Sequence, residues 1–312
     1  MSSRDDRLRG VVLGSAAGDA LGAPYEFQPP LPDEAPVEFR AGGPWERGEW
    51  TDDTAMSVPV LEALAAGRDL GEDETLGGIV RRWIDWSHGS KDVGIQTREV
   101  LAITEASTTG QSSNTEVAVA CRAAARQVHE RTGRSAGNGS LMRTGPVALG
   151  CLDDPEALVR AARAVSDLTH FEQDAADACV LWSLAIRHAV LTGEHDLHGQ
   201  VEALSPDRRT LWLDRIAQAE RLQPHQFPHN GWVVAALQAA WSAIVHGEGL
   251  QDTLERAVRC GYDTDTVAAI AGSLAGARYG ASGVPDEWRQ ALHGWPALTG
   301  ADLGILAESA TR

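Results

Sequence analysis

Gly14-Ser15-Ala16-Ala17-Gly18-Asp19-Ala20-Leu21-Gly22 places a glycine at every fourth position of a stretch that otherwise reads as helix. The helical reading runs from Arg7 to Leu21, with Leu8, Val11 and Val12 ahead of the stripe. Glycine in a helix interior costs about 1 kcal/mol relative to alanine. A face of three therefore asks for a close neighbour, either a second helix or a ligand. The same stripe returns at Gly272, Gly276 and Gly280, behind Ile270 and beside Leu274. Two such faces near opposite ends of the chain predict a pair of tightly packed central helices.

The sequence between them is also punctuated for helix. Asp154-Pro155-Glu156 supplies a cap and then proline at the first helical position, opening a helix to about Val165. Thr169-His170-Phe171-Glu172 matches a capping box, and Val180, Leu184 and Val190 follow at helical spacing. Asn230-Gly231 stands before the alanine-rich apolar run from Trp232 to Val245. Further helices are expected near 54–66, 74–87, 116–130, 207–222, 252–259 and 286–293. Strand-like alternation is hard to find and β-branched residues are sparse. The Pro-rich stretch Gln28–Pro36 and the loop Thr108–Asn114 are too short to separate two cores, and no repeat with a period of 20–50 residues is present. The reading is one compact all-α domain over residues 1–312, an orthogonal multi-helix array.

Composition narrows the function. With 43% hydrophobic and 23% charged residues in 312, wholesale disorder is excluded. Lys plus Arg number 27 against 44 for Asp plus Glu, a net charge of −17. That balance argues against broad electrostatic binding of nucleic acid or an anionic membrane, while leaving room for a local phosphate pocket. Cys121, Cys151, Cys179 and Cys260 are scattered with no C-x-x-C, which excludes a zinc ribbon or a thioredoxin-like site. Met1 to Arg7 is not followed by an apolar signal core, and no stretch reaches 18 uncharged apolar residues. A reduced, cytoplasmic protein without a membrane span is the expectation.

Two acidic motifs stand out: Thr51-Asp52-Asp53-Thr54 and Asp263-Thr264-Asp265-Thr266, each directly ahead of a helical run. Thr or Asp at a helix start is ordinary capping chemistry. A cap needs only one such side chain, however, and each motif leaves a surplus carboxylate. Four carboxylates brought together repel unless cations neutralise them. Hydroxyl and carboxylate oxygens without His or Cys suit a hard ion such as Mg²⁺ or Mn²⁺. Spacing alone leaves open whether the motifs meet.

The chain resembles the ADP-ribosylglycohydrolase family, which includes the dinitrogenase-reductase-activating glycohydrolases and the ADP-ribosyl-acceptor hydrolases. The matching pieces, in the family's order, begin with Gly14-Ser15-Ala16-Ala17-Gly18-Asp19-Ala20-Leu21-Gly22-Ala23-Pro24-Tyr25-Glu26-Phe27 and Thr51-Asp52-Asp53-Thr54. Gly137-Asn138-Gly139-Ser140-Leu141-Met142-Arg143, Ser166-Asp167-Leu168-Thr169-His170 and Asp263-Thr264-Asp265-Thr266 complete them. One such tetrapeptide is weak, but five ordered blocks from about residue 10 to 280 are specific.

The resemblance implies an all-helical fold with a dinuclear Mg²⁺ or Mn²⁺ centre in a cleft. Thr51, Asp52 and Asp53 would hold metal from one side, and Asp263, Asp265 and Thr266 from the other. Glu26, which by itself attracts no functional reading, would be catalytic along with Asp53. Asn138, Gly139, Ser140 and Met142 would form a loop against ADP-ribose, with amides near Gly139 cradling the pyrophosphate. His170 would flank the ribose or its phosphates. Arg143 could meet a phosphate or a core carboxylate and is left unassigned. Tyr262 departs from the usual small or polar residue before the second acidic motif and would narrow the ligand position; Thr144 replaces a common aliphatic residue. The implied activity is metal-dependent cleavage of the bond between ADP-ribose and an acceptor, such as an arginine side chain. The alternatives are another ADP-ribose derivative or ribosyl nucleotide as substrate, and a non-catalytic ADP-ribose binder.

Overall fold

The computed structural model describes residues 3–311; Met1 and Ser2, part of the amino-terminal reading above, lie outside them. Thirteen α-helices form among the described residues: α1 (Arg4–Gly22), α2 (Asp52–Ala65), α3 (Asp73–Ser87), α4 (Ile95–Ser107), α5 (Asn114–Thr132), α6 (Pro155–Asp167), α7 (Gln173–Thr192), α8 (Pro206–Arg221), α9 (Val233–His246), α10 (Leu250–Val258), α11 (Thr264–Tyr279), α12 (Asp286–Ala291) and α13 (Gly300–Ser309). The one sheet among the described residues is a two-residue antiparallel pair, His293–Gly294 against Leu298–Thr299. The all-α, single-domain expectation holds.

The glycine stripes explain the centre. A Cβ on Gly10 would sit 2.1 Å from the carbonyl oxygen of Gly276, and one on Gly14 would sit 2.3 Å from that of Gly272. At Gly18 the obstacle is the Ala268 oxygen at 2.1 Å, and at Gly22 the Asp265 Cα at 2.5 Å. Helices α1 and α11 therefore pack main chain to main chain along their length. Apart from the first turn of α1 and the last of α11, both are almost wholly buried. The helix penalty of each glycine is offset by a contact that no larger residue permits. The neighbour that the stripes required is a helix.

Around this pair the other helices form one continuous apolar core containing Trp50, Trp83, Trp182 and Trp212. α7 is the one helix among the described residues long and apolar enough to span a membrane by length and composition, and 78% of that stretch is buried here within the fold. Asp154 caps α6 as expected, accepting from Ala157 N at 2.9 Å.

The capping box at Thr169–Glu172 does not form. α7 starts beyond it with no side-chain cap, because Thr169 Oγ is engaged by Arg143 and His170, and Glu172 accepts from Ser135 N. α4 and α13 were not expected. Two of the four buried positions of α4 are threonines, Thr97 and Thr104, which masks its apolar period. α13 starts on Gly300, and its capping box uses Asp302 where the usual pattern has Glu or Gln.

Candidate active site

α2 opens at the first acidic motif and α11 at the second. The close crossing of α1 and α11 fixes where the second must lie. Thr51 Oγ lies 3.1 Å from Asp53 Oδ2, 3.4 Å from Asp52 Oδ1 and 3.5 Å from Asp265 Oδ2. Carboxylate oxygens of Asp52, Asp53 and Asp265 fall within 4.8 Å of one another, as do those of Glu26, Asp263 and Asp265. Asp265 belongs to both groups. The two distant motifs thus meet in one acidic cluster, and Glu26 joins it from the segment just after α1.

This cluster is costly for a protein alone. Burial, followed by mutual repulsion, pushes every member above the usual carboxylate range. Asp52 rises to about 8 through burial and then the charges of Asp92, Asp19 and Asp263. Glu26 rises to about 8 through burial and then Asp263, Asp92 and Asp52. Asp53 and Asp265 are pushed well up, again by burial first. Burial also raises Asp263, against the donation of Asn138 Nδ2 to its Oδ2 at 2.8 Å. Asp53 is fully buried, and its Oδ1 has no hydrogen-bond partner. An orphaned carboxylate oxygen inside an all-oxygen donor set fits a hard divalent cation.

The cluster floors a cavity of ≈ 380 Å³, within the range of small-molecule sites. Glu26, Asp52, Asp92, Asp263, Asp265 and Thr266 form its acidic wall, and Asn138, Gly139, Met142 and His170 also line it. Thr51, Asp53 and Ser140 do not line it. Thr51 and Asp53 stand behind the wall, and the buried Ser140 hydroxyl accepts from Cys179 Sγ at 3.5 Å. Asn138 Nδ2 also donates to Asn230 O at 2.8 Å, tying its loop to the start of α9.

His170 is buried. Burial, with the Arg143 charge behind it, holds the imidazole neutral, well below its ordinary pKa. Arg143 donates to Thr169 Oγ at 2.7 Å, and that hydroxyl lies 2.7 Å from His170 Nδ1. A guanidinium can only donate, so the Thr169 hydrogen goes to Nδ1 and the His170 proton sits on Nε2. Nε2 lies on the side of Gly137 and Gly139, where added Cβ atoms would come within 3.3 and 3.4 Å of it. Among the described residues Arg143 pairs with no carboxylate, and it does not line the cavity. It is fully buried over the Trp83 ring, 4.2 Å from the centroid. Tyr262 is exposed, has a left-handed φ of 61° and does not line the cavity. Its N–H donates to Gln28 O at 2.7 Å and its carbonyl accepts from Phe27 N at 2.6 Å.

Two acidic residues escaped the sequence reading. Asp92 lies in the loop before α4, and among the described residues no cation or donor pairs with its carboxylate. Nothing in Lys91-Asp92-Val93 signals that position. Asp19 is fully buried on α1, facing the start of α2. Its signal was available: a lone acid within a helix of glycine, alanine and leucine.

Comparison with known proteins agrees with the geometry. The sequence profile of the family described as "ADP-ribosylglycohydrolase" matches residues 1–312. The chain is 30% identical over 295 residues to the ADP-ribosylarginine hydrolase Tri1 of Pseudomonas putida (strain GB-1), covering 91% of this chain and 73% of that protein. It is 29% identical to the ADP-ribosyl-[dinitrogen reductase] glycohydrolase of Rhodospirillum rubrum, over 92% of this chain and 90% of that one. It is 25% identical to the ADP-ribosylhydrolase ARH3 of Homo sapiens, over 98% and 93%. A solved structure titled "ADP-ribosylglycohydrolase-related protein complex" superposes with a TM-score of 0.73 at 28% identity, covering 100% of this chain and 99% of that chain. A match along the whole sequence makes this chain, whose two acidic motifs gather into one cluster, a member of the ADP-ribosylglycohydrolase family of ADP-ribosyl hydrolases.

Proposed function

We propose that the protein hydrolyses the N-glycosidic bond between ADP-ribose and an arginine side chain, with two divalent cations, Mg²⁺ or Mn²⁺, as cofactors. Thr51, Asp52, Asp53, Asp263, Asp265 and Thr266 would hold the cations, whose chemistry when bound is to orient the ribose hydroxyls and water and to neutralise charge. The observation that carries the reading is the shared cluster itself: its members Glu26, Asp52, Asp263 and Asp265 line a ligand-sized cavity, and the orphaned Asp53 oxygen lies enclosed behind them.

The chain's own groups divide the remaining work. Of the two carboxylates expected to act on water, Glu26 lines the cavity and Asp53 is enclosed. Glu26 therefore takes the proton as the water oxygen bonds to the anomeric carbon and the carbon–nitrogen bond breaks. The leaving guanidine nitrogen receives a proton in return, and the transition state has oxocarbenium character. His170 offers its Nε2 hydrogen to a ribose or phosphate oxygen, and the loop carrying Asn138 and Gly139 accepts the pyrophosphate. Asp92 and Glu26 add acidic groups to the cavity wall, which suits a cationic guanidinium acceptor over a neutral one. The name of the Pseudomonas putida relative, an ADP-ribosylarginine hydrolase, supports the same acceptor.

The test is mass-spectrometric detection of free ADP-ribose released from ADP-ribosyl-arginine and ADP-ribosyl-serine peptides, with Mg²⁺, Mn²⁺ or excess EDTA. Arginine-linked substrate should turn over at least tenfold faster, and EDTA should abolish release. Preference for the serine linkage would overturn the acceptor assignment. Full activity in EDTA would overturn the cofactor assignment.

A further inference from the structure

We infer that Asp19 is a positioning residue: it caps α2 from α1, and so leaves the oxygens of the first acidic motif free to hold cations. The inference rests on the cation reading above.

An α-helix begins with amide hydrogens that have no partner within the helix, and a threonine just ahead of it ordinarily accepts one of them. Thr51 stands in that place, with an extended backbone (φ −96°, ψ −153°), yet makes no side-chain cap. Its hydroxyl is directed instead at Asp53, Asp52 and Asp265. The cap comes from elsewhere in the chain. Asp19 Oδ2 accepts from Thr54 N at 2.9 Å and Thr54 Oγ at 2.6 Å, while Oδ1 accepts from Thr51 N at 2.8 Å. Both carboxylate oxygens are thereby spent on the start of α2.

Within its own helix Asp19 is badly placed. It is fully buried and lies in the last turn of α1, where the helix dipole disfavours an anion. Packing alone would be served better by an apolar side chain. One turn on, Gly22 O accepts from Thr264 Oγ at 2.9 Å, and Gly22 leaves no room for a Cβ against Asp265. The last turn of α1 therefore grips the starts of both α2 and α11, and Asp19 is the grip on α2.

Asp19→Asn preserves shape but keeps only one acceptor, so its amide nitrogen must face the donor at either Thr51 N or Thr54 N. We would titrate Mn²⁺ by calorimetry and by the electron paramagnetic resonance of bound Mn²⁺, on metal-free protein shown to be folded by circular dichroism. Asp19→Asn should weaken Mn²⁺ binding at least tenfold and change the spectrum. Thr54→Val, which deletes only the hydroxyl donor, should weaken it about threefold, and Thr54→Ser should restore wild-type binding. A purely structural role would lower the melting temperature of Asp19→Asn while its folded fraction bound Mn²⁺ as tightly as wild type; that result overturns the inference. If Asp19→Asn does not fold, the contrast between Thr54→Val and Thr54→Ser decides, and equal affinities overturn it. Wild-type protein that binds no Mn²⁺ or Mg²⁺ removes the cation reading and this inference together, whereas tight wild-type binding with unchanged affinity in the variants removes only the role of Asp19.

Discussion

Asp53 keeps a buried carboxylate oxygen without a donor, a state that folding alone does not favour. Outer-shell partners of metal ligands typically change affinity or activity by about 10–100-fold, so loss of a ligand should exceed that. Asp53→Asn and Asp265→Asn should each lower turnover more than ~100-fold and abolish thermal stabilisation by Mn²⁺, which wild type gains by mass action. Without metal, the same variants should melt no lower than wild type, because each removes a crowded acid. Differential scanning fluorimetry with Mn²⁺ and with EDTA reads both effects, and an unchanged Mn²⁺ shift in both variants would exclude these residues as ligands. Such roles were partly legible: surplus carboxylates at two helix starts implied an ion. The Nε2 proton of His170 was not, because it depends on Thr169 and on Arg143, 27 positions away in sequence.

Among the elements, the crossing of α1 and α11 holds the most consequence. Gly18→Ala would drive a Cβ to 2.1 Å from the Ala268 oxygen, where the obstacle is main chain and cannot rotate away. We expect a loss of ~3 kcal/mol or more in chemical denaturation, with Mn²⁺ affinity falling as the start of α11 is displaced. Gly67→Ala is the local contrast. A Cβ there meets nothing within 4 Å, but φ is +69°, so any loss comes from backbone strain alone and should leave Mn²⁺ binding intact. Equal Mn²⁺ affinity for wild type and Gly18→Ala would show that the crossing does not set the site. The stripe itself was readable from helical periodicity. The absence of a capping box at Thr169 was not, since it depends on which distant donors reach that hydroxyl.

For the molecule as a whole, the raised carboxylates link stability to pH and to metal. A group such as Asp52, raised from 3.8 to about 8 on folding, contributes stability that is fully present below about pH 4 and lost as pH rises through 8. The buried His170 and His195, both lowered on folding, act in the opposite sense below about 6.5. The interval from pH 7 to 9 therefore separates the acids from the histidines, while the thiols of Cys121, Cys151, Cys179 and Cys260, raised by burial, add a loss of the same sign that does not depend on metal. Metal-free protein should lose about 1 kcal/mol from Asp52 across that interval. Saturating Mg²⁺, which needs the ionised carboxylates, should cancel the carboxylate part of the loss, and Asp52→Asn should make the metal-free profile shallower. Urea unfolding at both pH values measures each; identical slopes with and without Mg²⁺ would mean that no cation binds the cluster. Helix content, the two glycine faces and the order of the acidic motifs could be read along the chain, because each depends on residues within a few turns of one another. Three features could not: the closeness of Asp265 to Thr51, the enclosure of Asp53 and Ser140 behind the cavity wall, and the capping of α2 by Asp19. These follow from how helices far apart in the sequence pack, and close packing turns a glycine on one helix into the position of an oxygen on another.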